Sequence, residues 1–229
     1  YNKGAPIGWW KFDECQGLTA FDSSGLGNTG AISIGASGTQ NSLGTCQVGT
    51  SAAWTNGSSG KINSSLNFDG VDDYIDCGDN SSLNLTTAFT LSTWLKTNNA
   101  DSGYIVGRFQ ATDAGYMMRW SNTQLTLYYG NTENVSSSSF PSSTDWTHAV
   151  ITFDNGIVKF YRNGIPIGST SGITINSADS IHNTISNRWG GSGTGHHFSG
   201  QIDDVRIYNY ALTPEQVKVL YNGGAVSFN

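Results

Sequence analysis

From Ser65 onward the chain is a succession of short runs in which apolar and polar residues alternate, each closed by a cluster of Gly, Asn or Asp. "SLNF", "DYIDC", "FTLSTWLKT", "GYIVGRF", "GYMMRW" and "QLTLYYG" follow one another at close spacing. A period of two sets one side of each segment against a core and the other in water, which is the pattern of antiparallel strands. "THAVITFD" and "IVKFYRNG" then flank Asp154, Asn155 and Gly156, and because Asn and Gly tolerate positive φ this predicts a tight hairpin. A second turn at Asn163 and Gly164 leads to "IPIGST", and "NTISNRW" and "GQIDDVRIYN" supply the last strands.

The N-terminal part adds "IGWWKFDE" as a first strand and a second near Ala31 to Ile34. Residues 35 to 62 are almost wholly Gly, Ser, Thr, Asn and Ala and read as an insertion loop, ordered or not, with Trp54 its only large anchor. One helix is predicted, in "LTPEQVKVLYNGG". Thr213 serves as N-cap, Pro214 takes the first helical position, Gln216 completes a capping box and Gly223 ends it. Val217 and Leu220 are expected to pack against one end of the fold. About a dozen evenly spaced strands with one short C-terminal helix imply an all-β jelly-roll sandwich of two antiparallel sheets. At 229 residues the chain is expected to form a single domain over 1–229.

The net charge is −6 and no Lys/Arg cluster occurs, which removes the footprint that nucleic-acid binding requires. No apolar run approaches the roughly 20 residues of a membrane span, so no transmembrane segment is expected. The chain opens at Tyr1 without initiator Met or signal peptide and reads as part of a larger polypeptide or surface assembly. Cys15, Cys46 and Cys77 lack the close spacing of a zinc site. Cys15 and Cys46 flank a Gly/Ser/Thr-rich stretch that a disulfide would tie down; the alternatives are this pair or free thiols, with Cys77 read as a buried thiol. This cysteine usage and a hydroxyl-rich surface favour an extracellular or cell-surface setting. Sequons at Asn56, Asn63, Asn80, Asn84 and Asn134 add little in a chain so rich in Asn, Ser and Thr.

"IGWWKFDE", "AFDSSGLGNTGAI", "SLNFDGVDDYIDCG", "FTLSTWLKT", "WTHAVITFDNGIVKFYRNGIPIGS" and "FSGQIDDVRIYNYALTPEQVKVLYNGG" resemble, in order, successive blocks of the laminin G-like domains of the concanavalin A-like lectin/glucanase group. The resemblance spans nearly the whole chain; Cys15 and the 35–62 insertion depart from it. It implies a jelly roll of two curved sheets, often with one structural calcium, used as a carbohydrate-binding or adhesive module in large secreted or surface proteins.

Relatives of this fold include glycoside hydrolases, which need two carboxylates at a set separation. The three glutamates, Glu14, Glu133 and Glu215, share no strand with a second correctly phased acid, so catalysis by that plan is not expected. Asp203 and Asp204 are adjacent in a strand and point to opposite faces, as do Asp72 and Asp73. Asp69 and Asp72 read as turn caps, and "VDDYI", with Asp72 and Asp73, as a hairpin corner whose acids face water. Phased on Val205 and Ile207, Asp203 points inward and needs a partner, while Asp204 and Arg206 share the outer face. A calcium ion held by Asp203, Asp13, Asp22 and Asn28, with Ser23 and carbonyls of the Gly-rich turn, would supply one. The alternative is that Asp22 caps a turn and Asp203 accepts backbone hydrogen bonds.

Arg108, Tyr116, Arg119, Trp189, His196 and His197 offer the aromatic faces and polar donors that hold sugars, against the alternatives of core aromatics, solvated arginines and surface histidines. His148 reads as a satisfied structural residue. The expected function is therefore a non-catalytic extracellular module stabilised by calcium that binds glycans or surface proteins. The alternative is a structural or assembly domain of a surface protein or filament with no sugar ligand.

Overall fold

The computed structural model describes residues 4–47, 52–56, 59–97, 103–110, 114–121, 123–130, 133–137, 139–141, 143–190 and 197–223. In chain order the first strands are β1 (Gly8–Trp10), β2 (Thr19–Ala20), β3 (Gly30–Ser33), β4 (Leu66–Asp69) and β5 (Tyr74–Asp76). They are followed by β6 (Ala88–Thr97), β7 (Gly103–Gln110), β8 (Ala114–Ser121), β9 (Gln124–Tyr129) and β10 (Glu133–Ser136). The last five are β11 (Thr147–Asp154), β12 (Ile157–Arg162), β13 (Ile165–Thr170), β14 (Asn183–Ile185) and β15 (Ser199–Tyr208). Two helices, α1 (Ala53–Asn56) and α2 (Pro214–Tyr221), complete the order.

The strands form two antiparallel sheets. A seven-stranded sheet runs β1-β15-β6-β11-β12-β13, with β4 also paired to β15. An eight-stranded sheet runs β10-β9-β8-β7-β14-β5-β3-β2. Alternation decides what lies between them. Ala149, Ile151 and Phe153 of β11, Tyr116, Met118 and Trp120 of β8, and Leu125, Leu127 and Tyr129 of β9 share one core with Trp10, Phe68, Phe89 and Leu91. The β11–β12 hairpin turns through Asn155 (φ 44°) and Gly156 (φ 90°), the positive-φ pair that the sequence predicts.

The capping box of α2 closes as expected: Gln216 donates its amide to Thr213 Oγ1 (3.3 Å), and Thr213 donates its own to Gln216 Oε1 (2.8 Å). Its packing differs from the expectation. Val217 and Leu220 lie not at an end of the sandwich but with Val150, Tyr161, Tyr208 and Leu212 in a separate apolar cluster. Val150, Tyr161 and Tyr208 each neighbour a core residue in sequence and so face away from the core. The helix thus covers the outer face of the seven-stranded sheet.

The described parts of the 35–62 insertion are fastened at several points. Asp69 Oδ2 accepts the Thr39 and Gln40 amides (2.7 and 2.9 Å), Asp72 Oδ2 that of Ser37 (3.0 Å) and Asp73 Oδ1 that of Gly35 (3.1 Å). Cys46 is disulfide-bonded to Cys15, and Trp54 is buried with its Nε1 donating to the Gly17 carbonyl (3.0 Å). Cys77 is a buried thiol. These contacts correct the reading of "VDDYI" as acids facing water. Asp73 is fully buried because the insertion folds back over it, and burial with the charges of Asp69 and Asp72 pushes its carboxyl up to about 7.

Candidate functional site

The predicted calcium ligands divide into two groups. Asp22 already accepts four hydrogen bonds, from the amides of Trp9 (2.9 Å), Ser24 (2.8 Å) and Asn28 (2.8 Å) and from Ser24 Oγ (2.7 Å). Asn28 is buried and donates its side-chain amide to the Ile7 carbonyl (2.7 Å). Asp22 and Asn28 therefore pin the "DSSGLGN" turn against β1, and the donors around Asp22 occupy the lone pairs a cation would need. Ser23 is exposed on the same turn.

Asp13 and Asp203 form the second group, around residues 61–64. Asp203 is fully buried, its Oδ2 accepts the Ile62 amide (2.8 Å), and its Oδ1 has no hydrogen-bond partner. Exposed Asp13 receives the side-chain amide of Asn63 (3.2 Å). Burial first, then the charges of Asp204 and Asp13, push the Asp203 carboxyl up to about 8, against the pull of the Ile62 and Lys61 amides. The route by which Asp203 becomes buried differs from the expectation. Ile202, Val205 and Ile207 all reach the core, which strict alternation does not allow. A bulge between Asp203 and Arg206, with Asp204 at φ 50°, absorbs the extra residue. Asp203 stands opposite Trp94 and is covered by the 61–64 segment. Asp204 accepts from Trp9 Nε1 (2.7 Å) and pairs with Arg206 (2.9 Å).

Among the described residues one trio of acids brings its oxygens within 4.8 Å of one another: Asp69, Asp72 and Asp73. Backbone amides point at all three, so the trio reads as the anchor of the insertion.

The outward face of the eight-stranded sheet has a different character. Asp76, Thr184, Gly107, Met117 and Tyr128 face one another across successive ladders and form a row from β5 to β9. Met117 packs with Tyr104, Phe109 and half-buried Tyr128, apart from the main core. Arg119, two residues beyond Met117, lies beside a pair of these rings, 5.2 Å from the Tyr104 centroid and 5.3 Å from that of Tyr128, the two rings meeting edge to face 5.6 Å apart. It donates from Nη1 to the Tyr128 hydroxyl (2.6 Å), and its Nε has no partner. At the other end of the row Trp189 stacks on His182 (3.7 Å between centroids), and His182 Nδ1 bonds Asp76 (2.7 Å). Four strand spacings, about 19 Å, separate Asp76 on β5 from Tyr128 on β9.

Of the predicted sugar contacts, Arg119 and Trp189 are half-exposed on this face. Arg108 and Tyr116 are not available to a ligand. Arg108 is buried, with Nε on the Ala178 carbonyl (2.8 Å) and Nη1 on that of Asn80 (3.0 Å). Tyr116 is buried against Phe89, its hydroxyl donating to the Leu83 carbonyl (2.7 Å), and burial raises its pKa. Period two separates Tyr116, in step with Met118 and Trp120, from Arg119. His197 is buried, with Nδ1 donating to the Asp73 carbonyl (3.0 Å); His196 lies outside the described residues. Sequence reasoning missed Tyr104, Tyr128 and His182, although Tyr128 has the parity opposite to core-facing Leu127 and Tyr129.

On the other sheet a cleft of about 310 Å³ is lined by Lys61, Trp94, Asp204, Arg206 and Tyr221. Its cations are engaged: Lys61 lies 4.3 Å over Trp94, and Arg206 is paired with Asp204. Beneath it His148 is buried, bonded to Ser92 (2.9 Å) and packed on Trp94, and burial with the charges of Arg206 and Lys61 pushes its pKa down to about 3.

Two antiparallel sheets packed on one core, with a ring-lined outer face on one of them, define a lectin-like jelly-roll sandwich. A laminin G-type model of the concanavalin A-like lectin/glucanases superfamily matches residues 69–218, and the chain belongs to that family. Over 147 residues it is 29% identical to Adhesion G-protein coupled receptor V1 of Danio rerio, a match covering 58% of this chain and 2% of that protein. The fold is similar to domain 4 of the extracellular arabinanase AbnA of Geobacillus stearothermophilus, solved with arabinotriose (TM-score 0.70, 24% identity, 95% of this chain and 98% of that one). It is also similar to the binding domain of Paraclostridial Mosquitocidal Protein 1 (TM-score 0.68, 17% identity, 96% and 52%). A third similar structure is the binding domain of Botulinum neurotoxin serotype D (TM-score 0.62, 15% identity, 96% and 51%). Among the described residues no helix is long and apolar enough to cross a membrane.

Proposed function

We propose that this domain is a non-catalytic, extracellular carbohydrate-binding or adhesion module, that the outward face of its eight-stranded sheet receives the ligand, and that a calcium ion stabilises it. The observation that carries the reading is the Arg119 guanidinium lying beside the Tyr104–Tyr128 ring pair on an otherwise acidic chain. A cation beside aromatic rings suits a polar ligand with apolar ring faces, which is the chemistry of a sugar. The arabinotriose-bound neighbour and the adhesion-receptor relative support the same class. The Cys15–Cys46 disulfide supports an oxidising compartment. Against catalysis, Glu14 lies outside the strands with Oε1 accepting the Phe21 amide (2.8 Å), and Glu215 lies exposed in the first turn of α2.

Calcium is assigned to Asp13 and Asp203, because the unpartnered Oδ1 of buried Asp203 is an oxygen in need of a cation. Two measurements test the proposal. Calcium should raise the melting temperature by several degrees and EDTA should reverse the gain, with Asp203→Asn removing the response and Asp72→Asn keeping it; absence of any calcium response sinks the metal assignment. A glycan array should show binding that Trp189→Ala or Arg119→Ala removes, whereas a blank array with self-association at micromolar concentration would favour the assembly role instead.

A further inference from the structure

We propose that the glycan recognised on this face carries a carboxylate, as in a uronic or sialic acid, and that Arg119 receives it. This inference rests on the glycan-binding reading above. Three of the five arginines, Arg108, Arg119 and Arg206, differ in what balances their charge. Arg206 is paired with Asp204, and Arg108 is buried among backbone carbonyls. Arg119 has no carboxylate partner among the described residues, and its hydrogen bond goes to the neutral Tyr128 hydroxyl.

A guanidinium stays charged at any working pH, and its planar fork matches a carboxylate better than it matches a sugar hydroxyl. Here the fork is already oriented. The edge-to-face pair of Tyr104 and Tyr128 forms a corner against which the guanidinium lies, and the Nη1 bond ties it to the Tyr128 hydroxyl. Little side-chain entropy remains to be lost on binding. Burial raises the Tyr104 pKa, against the smaller opposing pull of the Arg119 charge beside its ring. At the far end of the row the Asp76 carboxylate is hydrogen-bonded to His182 Nδ1. Half-exposed Tyr128, backed by buried Phe109 and Met117, supplies a ring face beside the cation, which favours a sugar ring over a fully polar anion.

The test compares matched saccharides by titration calorimetry: sialyllactose against lactose, and oligogalacturonate against its methyl ester. The acid of at least one pair should bind roughly 10- to 100-fold tighter than its neutral counterpart, the range of a charge-assisted hydrogen-bonded contact. Arg119→Gln should abolish that difference, and Arg119→Lys, which keeps the charge and loses the fork, should restore only part of it. Thermal melting of both variants checks that they fold. The pair that discriminates names the source of the carboxylate. Equal binding of acid and neutral sugars overturns this inference and leaves the glycan reading standing, while no saccharide binding at all overturns both. Binding of a Glu-rich peptide in place of sugar acids overturns it in favour of a protein ligand.

Discussion

On the seven-stranded sheet the outward residues Val150, Tyr161 and Tyr208 lie beneath Leu212, Val217 and Leu220. On the eight-stranded sheet the outward residues Arg119 and Tyr128 remain half-exposed. Both faces arise from the same alternation, and both carry aromatic rings. What separates them is the chain that follows: "LTPEQVKVLYNGG" returns across one face as a capped helix and seals it. An aromatic outward face is therefore not by itself a binding surface. The arginines make the same distinction at the level of single residues, since Arg108 is anchored to main-chain carbonyls and Arg119 holds its charge at the surface.

The largest effect expected from breaking this contrast is on the sealed face. Leu220→Ala should cost about 2–5 kcal/mol of stability, the range for emptying a buried leucine site, and leave ligand binding at Arg119 unchanged. Chemical denaturation checks it, and a loss below about 0.5 kcal/mol, the size of an ordinary surface effect, would show that α2 does not cover the sheet. Next comes the pair of arginines. Arg108→Met removes one of the two donors from each of the Ala178 and Asn80 carbonyls, which keep the Ile181 and Leu83 amides, and should cost about 1–3 kcal/mol, whereas Arg119→Gln should stay within about 0.5 kcal/mol. The reverse order in denaturation midpoints would contradict the assignment of one as anchor and the other as ligand contact.

The effect that arrives in the smallest steps concerns pH. The native state holds His148 neutral, with its pKa pushed from 6.5 down to about 3, so the unfolded chain binds the proton first as the solution is acidified. Stability from this group is present above pH 6.5 and is lost as pH falls from 6.5 toward 3, by at most about 1.4 kcal/mol per pH unit. His148→Gln should flatten that part of the stability profile. An unchanged slope between pH 6 and pH 4 would mean that Trp94, Tyr221 and Ser92 do not keep the ring from protonation.

The hairpin at Asn155 and Gly156 and the capping box of α2 were legible because each depends on two to four neighbouring residues. The core faces of β8, β9 and β11 were legible for a similar reason, since a period of two is a local rule. That rule also contained an unread signal: in "GYMMRW" it assigns Tyr116 to the core and Arg119 to the surface. It failed at β15, where a bulge inserts one residue and moves Asp203 out of step with Val205. Nothing in "IDDVRI" announces the bulge, because it depends on what β6 and the 61–64 segment place opposite. Asp73 was misjudged for the same kind of reason, its burial being imposed by a loop more than thirty residues earlier.

By itself, then, the order of residues determined a two-sheet antiparallel sandwich with one capped terminal helix, because hydrophobic period, turn chemistry and capping act over a few residues. Only the tertiary structure decided which outward face is covered, which arginine is buried, and which aspartate oxygens, Asp72 Oδ1 and Asp203 Oδ1 among the described residues, are buried without a hydrogen-bond partner. Those outcomes turn on burial, and burial is set by segments distant in sequence that meet only when the chain has folded.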